Sequence, residues 1–317
     1  MGADEFVFGK GRSACDIVAT VLKTLDHIIV CVQDLDSAVR SYTRILGRTP
    51  SWRGEHPGAG TLNALFRIDN TYLELLAPDG VGPVGDGLRS RLSQEGEGLA
   101  GLAFGTPDAD ACYQAFVKAG LNPLAVEGGM GRDVDSGAFR RWRRIPLQAR
   151  ETRGVTMFAL EHLSEEALLP PSSALGPAAA SVHALDHVVV QTGDPEATKT
   201  LYGEKLGLRL ALDRSFPQWN SRMLFFRIGG ATVEVVAGLG QSAGAKPRAE
   251  EQDQLWGLCW RVADVEAARS RLAEEGFGVS EVREGRKRGT RVFTLRDGSC
   301  GVPTLVLEAD PKGEAGP

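Results

Sequence analysis

The stretch from Leu25 to Val39, LDHIIVCVQDLDSAV, sets a pattern that the chain repeats three more times: a short apolar run, an acidic residue, then apolar positions three and four apart. Shifted without gaps, His27 falls on Gly101, His187 and Gly257, while Asp34 falls on Asp108, Asp194 and Asp264. The acidic position two further on recurs as Asp36, Asp110, Glu196 and Glu266. Four copies in one register define an internal repeat, which decides the fold before any other signal is weighed.

Each copy predicts the same elements. The runs IIVCV, LAFGT, VVVQT and LCWRV have the length and the β-branched or aromatic content of strands. The Asp that follows each run is placed to cap a helix, its carboxylate accepting from the first free backbone N–H groups. Apolar spacing such as Leu35, Val39, Tyr42 and Leu46, or Val265, Ala268 and Leu272, continues as helix. Gly47, Gly120, Gly207 and Gly276 then supply a residue free to take positive φ, which ends a helix. Runs such as ALFRI and TYLELLA, or LFFRI and ATVEVVA, follow, with the turn formers Asp69-Asn70 and Gly229-Gly230 between them. A unit is therefore a strand, a helix and about three strands, and the fold class is α+β with four βαβββ units.

The units pair into two domains. The stretch LSEEALLPPSSALGPAAASVH is rich in Pro, Ala and Ser and lacks apolar periodicity, which is linker composition. The expected layout is an N-terminal extension of unknown role over 1–23, a first domain over 24–163, a linker over 164–183, a second domain over 184–310 and a tail over 311–317. At 317 residues the chain is long enough for two domains with their own cores.

Composition changes the picture mainly by exclusion. Hydrophobic content of 42% and charged content of 24% are those of a globular protein, and a net charge of −5 offers no broad attraction to nucleic acid or to anionic membranes. No run approaches the ~18 apolar residues of a membrane helix, and MGADEFVFGKGRSACD lacks the layout of a signal peptide, so a cytoplasmic protein is expected. Cys15, Cys31, Cys112, Cys259 and Cys300 are scattered without a C-x-x-C, which suggests neither a disulfide framework nor a zinc-thiolate site.

Chemistry enters with a second repeat. His27 precedes Glu74 by 47 positions, and His187 precedes Glu234 by the same 47. A first-strand imidazole with a fourth-strand carboxylate, and no thiolate, suits divalent iron, manganese, nickel, zinc or magnesium with open coordination positions. The late segments FALEHLS and LVLEADP place Glu161 and Glu308 as third ligands in one register, and Phe158 and Leu305 there in another. His162, next to Glu161 on a strand, should point to the opposite face, and His183 belongs to the linker.

These residues resemble the vicinal oxygen chelate superfamily, which includes glyoxalase I, the bleomycin and fosfomycin resistance proteins and the extradiol dioxygenases. The resemblance covers roughly 25–163 and 184–310, and the segment from His56 to Leu65, HPGAGTLNAL, adds a likeness to the glyoxalase-like branch. It implies two glyoxalase-like domains, each a half-open mixed sheet around a cavity. It also implies a metal held by residues of the first, fourth, fifth and eighth strands, and a substrate chelating through neighbouring oxygens. Carried over by position, the metal ligands are His27, Glu74 and Glu161 in domain one, and His187, Glu234 and Glu308 in domain two. Glu74 and Glu161 are then the candidate catalytic carboxylates. The fifth-strand histidine has no counterpart, since Gly101 and Gly257 occupy that place.

His56, Thr61 and Asn63 are candidates for substrate contact, as are Trp142, Arg141 and Arg143 in the cluster Arg140–Arg144, and Arg291 after GRKRG. Guanidinium groups there could grip an anion in bidentate fashion, or could simply be a solvated hairpin face. Trp52, Trp219, Trp256, Trp260 and Phe225-Phe226 suit an aromatic pocket and core packing equally. Two functions remain open at this stage: a metal-dependent lyase, isomerase or dioxygenase acting on a small molecule with vicinal oxygens, and a metal-free protein that sequesters an aromatic or anionic compound. The HPGAGT segment selects domain one as the ligand site, in a monomer or a homodimer.

Overall fold

The computed structural model describes residues 21–239 and 252–309, so most of the N-terminal extension and the whole tail lie outside the described residues. Unit one is β1 (Thr24–Cys31), α1 (Leu35–Leu46), β2 (Trp52–His56), β3 (Thr61–Ile68) and β4 (Thr71–Pro78). After α2 (Pro83–Glu95), unit two is β5 (Gly98–Gly105), α3 (Ala109–Lys118), β6 (Glu127–Asp133), β7 (Phe139–Pro146) and β8 (Met157–His162). Unit three is β9 (Ala184–Thr192), α4 (Pro195–Lys199, prolonged by a π-helical stretch Thr200–Lys205), β10 (Arg209–Phe216), β11 (Ser221–Ile228) and β12 (Ala231–Gly238). Unit four is β13 (Gln254–Arg261), α5 (Val265–Glu274), β14 (Arg283–Glu284), β15 (Thr290–Leu295) and β16 (Thr304–Ala309). The βαβββ reading holds in all four. Helix α2 is an addition the periodicity did not reveal, because its buried residues are only Gly85 and Leu88.

The repeated acidic positions have local jobs. Asp34, Asp108, Asp194 and Asp264 cap their helices, accepting from the backbone N–H of Ser37, Ala111, Ala197 and Ala267. The second acidic residue of each copy meets an arginine of its own sheet: Asp36 with Arg53, Asp110 with Arg143, Glu196 with Arg222 and Glu266 with Arg291. These exposed pairs contribute little stability and chiefly fix the helix start against the strands.

Within each unit the first strand runs parallel to the last, as β1 does to β4 and β13 to β16, and the two first strands of a domain pair antiparallel. One face of each sheet packs beneath its helices. Tyr42, Phe66, Phe104 and Phe116 in domain one, and Tyr202, Phe226, Trp260 and Phe293 in domain two, are fully buried there.

The two sheets differ in closure. Domain one runs β1-β4-β3-β2-β6-β7-β8-β5 and closes into a barrel, where a half-open sheet was expected. The closing junction is β2 against β6, through Gly54↔Asp133 and Glu55↔Arg132, with Val134 N donating to Arg53 O at 2.9 Å beside them. Domain two keeps an open order, β10-β11-β12-β9-β13-β16-β15-β14, because its counterpart of β6 is only the two-residue β14.

The domains are joined by more than chain. Asn70 Nδ2 donates to the carbonyls of Leu185 at 2.8 Å and Gly230 at 3.1 Å, and its Oδ1 accepts from Leu185 N at 3.0 Å. The connecting segment lies against domain one, with Leu169 buried among Trp52, Leu65 and Tyr72, and Ser172 N donating to Arg67 O. Among the described residues no helix is long and apolar enough to cross a membrane.

Candidate active site in the first barrel

Strand alternation sorts the side chains of domain one into a helix-covered face and a lumen. On β1 and β4 the lumen receives His27, Tyr72 and Glu74. From β2 and β3 it receives Trp52, His56, Asn63 and Leu65, and from β7 and β8 Arg140, Trp142, Phe158 and His162; together they line a cavity of about 1280 Å³. Glycines make room inside it. A Cβ on Gly54 would stand 2.2 Å from the Trp52 indole nitrogen, and one on Gly129 would stand 2.2 Å from that of Trp142. The HPGAGT turn is held equally closely. A Cβ on Gly85 of α2 would meet Gly60 O at 2.0 Å, and Gly60 itself takes φ +73.

At the centre stands a chain of hydrogen bonds. Asp26 accepts from His27 Nδ1 at 2.7 Å and from His162 Nε2 at 2.8 Å. Burial works to raise the Asp26 carboxyl, but the bonds from His162 and His27, and the charge of both rings, outweigh it and hold the group below the usual carboxylate range. Because a carboxylate only accepts, His27 carries a proton on Nδ1, and its Nε2 faces Glu74 Oε2, 3.5 Å away. The other Glu74 oxygen accepts from Asn63 Nδ2 at 2.7 Å and lies 3.9 Å from His56 Nε2. His56 Nδ1 is in turn bonded to Thr61 Oγ1 at 2.8 Å. Burial in the wall lowers the His56 pKa, against the pull of Glu74, so this ring is neutral. The two imidazoles are thus each anchored by Nδ1 with Nε2 turned to the Glu74 side of the lumen, His56 Nε2 lying 3.4 Å from the Asn63 amide and 3.9 Å from the carboxylate. Asn63 Oδ1 is buried without a hydrogen-bond partner among the described residues. Tyr72 stacks on the His27 ring at 4.6 Å, and Phe158 meets that ring edge-on at 5.5 Å.

Domain two keeps only the middle of this arrangement. Asp186 accepts from His187 Nδ1 at 2.8 Å, and His187 Nε2 is 3.4 Å from Glu234 Oε2. Burial lowers the affinity of His187 for a proton, yet the Asp186 bond and the charges of Glu234 and Asp186 outweigh it and raise the pKa. Asp186, His187 and Cys259 bring one ligand atom each within 4.8 Å of one another. Asp186 is also bonded to Arg261 Nε at 2.7 Å, and burial pushes the fully buried Cys259 thiol well above its ordinary range. A thiol kept protonated is a poor ligand.

Other residues singled out in the sequence are placed elsewhere. Glu161 points out of the barrel, accepting from Ala109 N at 3.1 Å and lying 3.5 Å from Arg143 Nη1. Glu308 repeats this, accepting from Val265 N at 2.8 Å with Arg291 Nη1 at 3.9 Å. Both carboxylates are braces between a helix start and the last strand of the domain, and the alternation that brings Phe158 and His162 inward sends Glu161 outward. Arg143 and Arg291 belong to those braces, and the Arg141 side chain is exposed on the outer face. Thr61 orients His56, and Trp142 meets the His56 ring edge-on at 5.7 Å. Asp26, Tyr72, Phe158 and Arg140 were not assigned from the sequence. For Tyr72, Phe158 and Arg140 the signal is strand alternation, which puts Arg140 on the same side of β7 as Trp142, whereas Asp26 reaches His27 through an irregularity of β1 between Leu25 and His27.

The comparisons agree with this architecture. A model of a glyoxalase-like domain matches residues 25–182, and one of the glyoxalase/bleomycin resistance protein/dioxygenase superfamily matches 186–294. The chain belongs to the vicinal oxygen chelate superfamily. A mutant of 4-hydroxymandelate synthase from Streptomyces coelicolor is similar in fold, with TM-score 0.64 and 16% identity over 91% of this chain and 93% of that one. A hypothetical protein from Staphylococcus aureus has TM-score 0.58 and 11% identity, covering 89% of this chain and 97% of its own. A fusion of a xylose isomerase-like TIM barrel with 4-hydroxyphenylpyruvate dioxygenase has TM-score 0.56 and 10% identity, over 92% of this chain and 49% of that chain. No functionally curated protein matches the sequence.

The superfamily's metal can be tested against these residues. At the fifth-strand place, a Cβ on Gly101 would lie 3.2 Å from Thr156 O, and one on Gly257 would lie 2.7 Å from Pro303 O. The backbone of the parallel neighbour therefore excludes a side chain at Gly257 and crowds one at Gly101, and Phe158 takes the eighth-strand place. What remains in domain one is two anchored imidazoles and a carboxylate, a donor set that fits a divalent ion with open positions. His27 and His56 face different oxygens of Glu74, so the three ligand atoms do not gather within 4.8 Å as those of Asp186, His187 and Cys259 do.

Proposed function

We propose that the chain is a small-molecule enzyme whose working site is the lumen of domain one, with His27, His56 and Glu74 as the ligands of one divalent ion. The observation that carries this reading is the shared orientation of the two rings, each held at Nδ1 with Nε2 turned to the Glu74 side of the lumen. A ring nitrogen that donates to a carboxylate, as His27 Nδ1 does to Asp26, fixes the tautomer and raises the basicity of the other nitrogen, which is how metal-binding imidazoles are set. When bound, the ion supplies Lewis-acid polarisation of a substrate oxygen.

The protein's own residues do the rest. Glu74, kept in place by Asn63, is the group to which a substrate proton can pass at Oε2. Asp26 keeps the His27 ring upright and neutralises charge that develops on it. Trp52, Tyr72, Trp142 and Phe158 exclude water and give an aromatic body its walls. The reaction class is isomerase, lyase or dioxygenase. A second reading, binding without chemistry, draws on Phe158 and Gly101 standing where the superfamily's other ligands would be.

Metal analysis of untagged protein tests the first reading. Occupancy near one equivalent is expected in the wild type, with loss in His27→Ala and His56→Ala. Less than roughly a tenth of an equivalent after growth in metal-supplemented medium would leave the binding reading.

A further inference from the structure

We propose that Arg140 is an anion anchor inside the first barrel, and that the ligand of domain one is therefore an aromatic carboxylate. The inference takes domain one as the working site from the reading above, but it does not depend on the ion. Arg140 is 7% exposed, and no carboxylate among the described residues reaches it. On β6 and β7 Arg132 pairs with Glu55 at 2.7 Å, Arg143 with Asp110 at 2.6 Å and Arg144 with Glu127 at 2.6 Å, while Arg141, which also lacks an acid among the described residues, is exposed to solvent. A buried arginine left alone in a wall so well supplied with acids is a departure from the local pattern, and a buried charge without a counter-charge is unfavourable unless something else supplies one.

The ring faces around it compensate only in part. Its Cζ lies 5.6 Å from the Trp52 ring centroid and 5.8 Å from that of Tyr72. These contacts orient the guanidinium by cation–π attraction and leave its planar N–H fork available to a carboxylate. Tyr72 also stacks on His27, so Arg140, Tyr72 and His27 form a column. An anion held at one end of that column lays the rest of the ligand along Tyr72 towards the His27–Glu74 pair. The indoles of Trp52 and Trp142, seated over Gly54 and Gly129, line the same cavity. Domain two provides the contrast. The residue three before its brace arginine Arg291 is Arg288, as Arg140 is three before Arg143, and Arg288 is exposed outside any strand.

Phenylacetate and its neutral isostere phenylacetamide are suitable probes, followed by quenching of tryptophan fluorescence. Phenylacetate should saturate the wild type and bind at least about tenfold more tightly than the amide, as expected for a hydrogen bond to a charged group. Arg140→Gln should lose that preference, while Arg53→Gln, on the outer face of β2, should keep it. Equal affinity for acid and amide, absence of saturable phenylacetate binding, or an unchanged acid preference in Arg140→Gln would overturn the proposal. If Arg140→Gln does not fold, the acid-to-amide ratio of the wild type decides alone. Metal content measured on the same samples separates the two readings: acid preference without metal leaves the anchor standing and removes the ion.

Discussion

Domain one and domain two carry the same aspartate, histidine and glutamate at the same spacing, yet only one of them builds a site around them. Shifting by 160 positions, His56 becomes Phe216, Asn63 becomes Met223 and Tyr72 becomes Thr232. In the retained triad of domain two the His187 pKa is raised by Asp186 and Glu234, and Arg261 bonds to Asp186. The triad of domain one instead sits between a second imidazole and an amide whose oxygen has no partner. A catalytic-looking pair is therefore weak evidence on its own. What separates the domains is the next layer of residues and whether the sheet closes over them.

The largest effect that would break this comparison is on metal and turnover. His27→Ala should lower metal affinity and activity by at least about a hundredfold, whereas His187→Ala should leave both within roughly twofold. Equal losses, measured by metal titration, would make the domains equivalent. Next in size, Asn63→Met and His56→Phe install the residues of domain two. Each should cost about 10–100-fold in metal affinity, and Asn63→Met should also lower stability to urea by about 1–3 kcal/mol, because it leaves the buried Glu74 carboxylate without its amide donor.

Stability distinguishes the domains in the other direction. Gly257→Ala should destabilise by about 1–3 kcal/mol and Gly101→Ala by less, since the first added methyl would meet backbone at 2.7 Å and the second at 3.2 Å. Matching denaturation midpoints for the two variants would contradict the packing described at the fifth strands. The smallest expected effects are those of Glu161→Gln and Glu308→Gln, about 1 kcal/mol or less each with metal content unchanged. Loss of metal in Glu161→Gln would return that carboxylate to the ligand set.

The repeat made the architecture legible because strand, cap and helix are local events written in consecutive residues. All four capping aspartates, including Asp34 and Asp264, do in the structure what their spacing implied. Barrel closure was hidden, since it depends on β6, whose sequence EGGMGRD carries neither the β-branched content nor the alternation of a strand. At the site, the pairing of His27 with Glu74 lay in the spacing, but the facing of Glu161 turned on a one-residue register that short segments do not settle. Arg140 was visible only as one of a cluster. Separating it from Arg141 and Arg143 required knowing which side of β7 faces inward.

The junction between β2 and β6 has a consequence for how the lumen is reached. Two residue pairs join these strands, while β1 and β4 share five and β3 and β4 share eight. Local opening follows the least-bonded boundary, so the amides flanking this junction should exchange with solvent well before those of β3 and β4. Domain one then behaves as a purse with a single clasp: released, it has the splayed outline that domain two holds permanently, and a ligand spanning from β7 to β4 would keep it fastened.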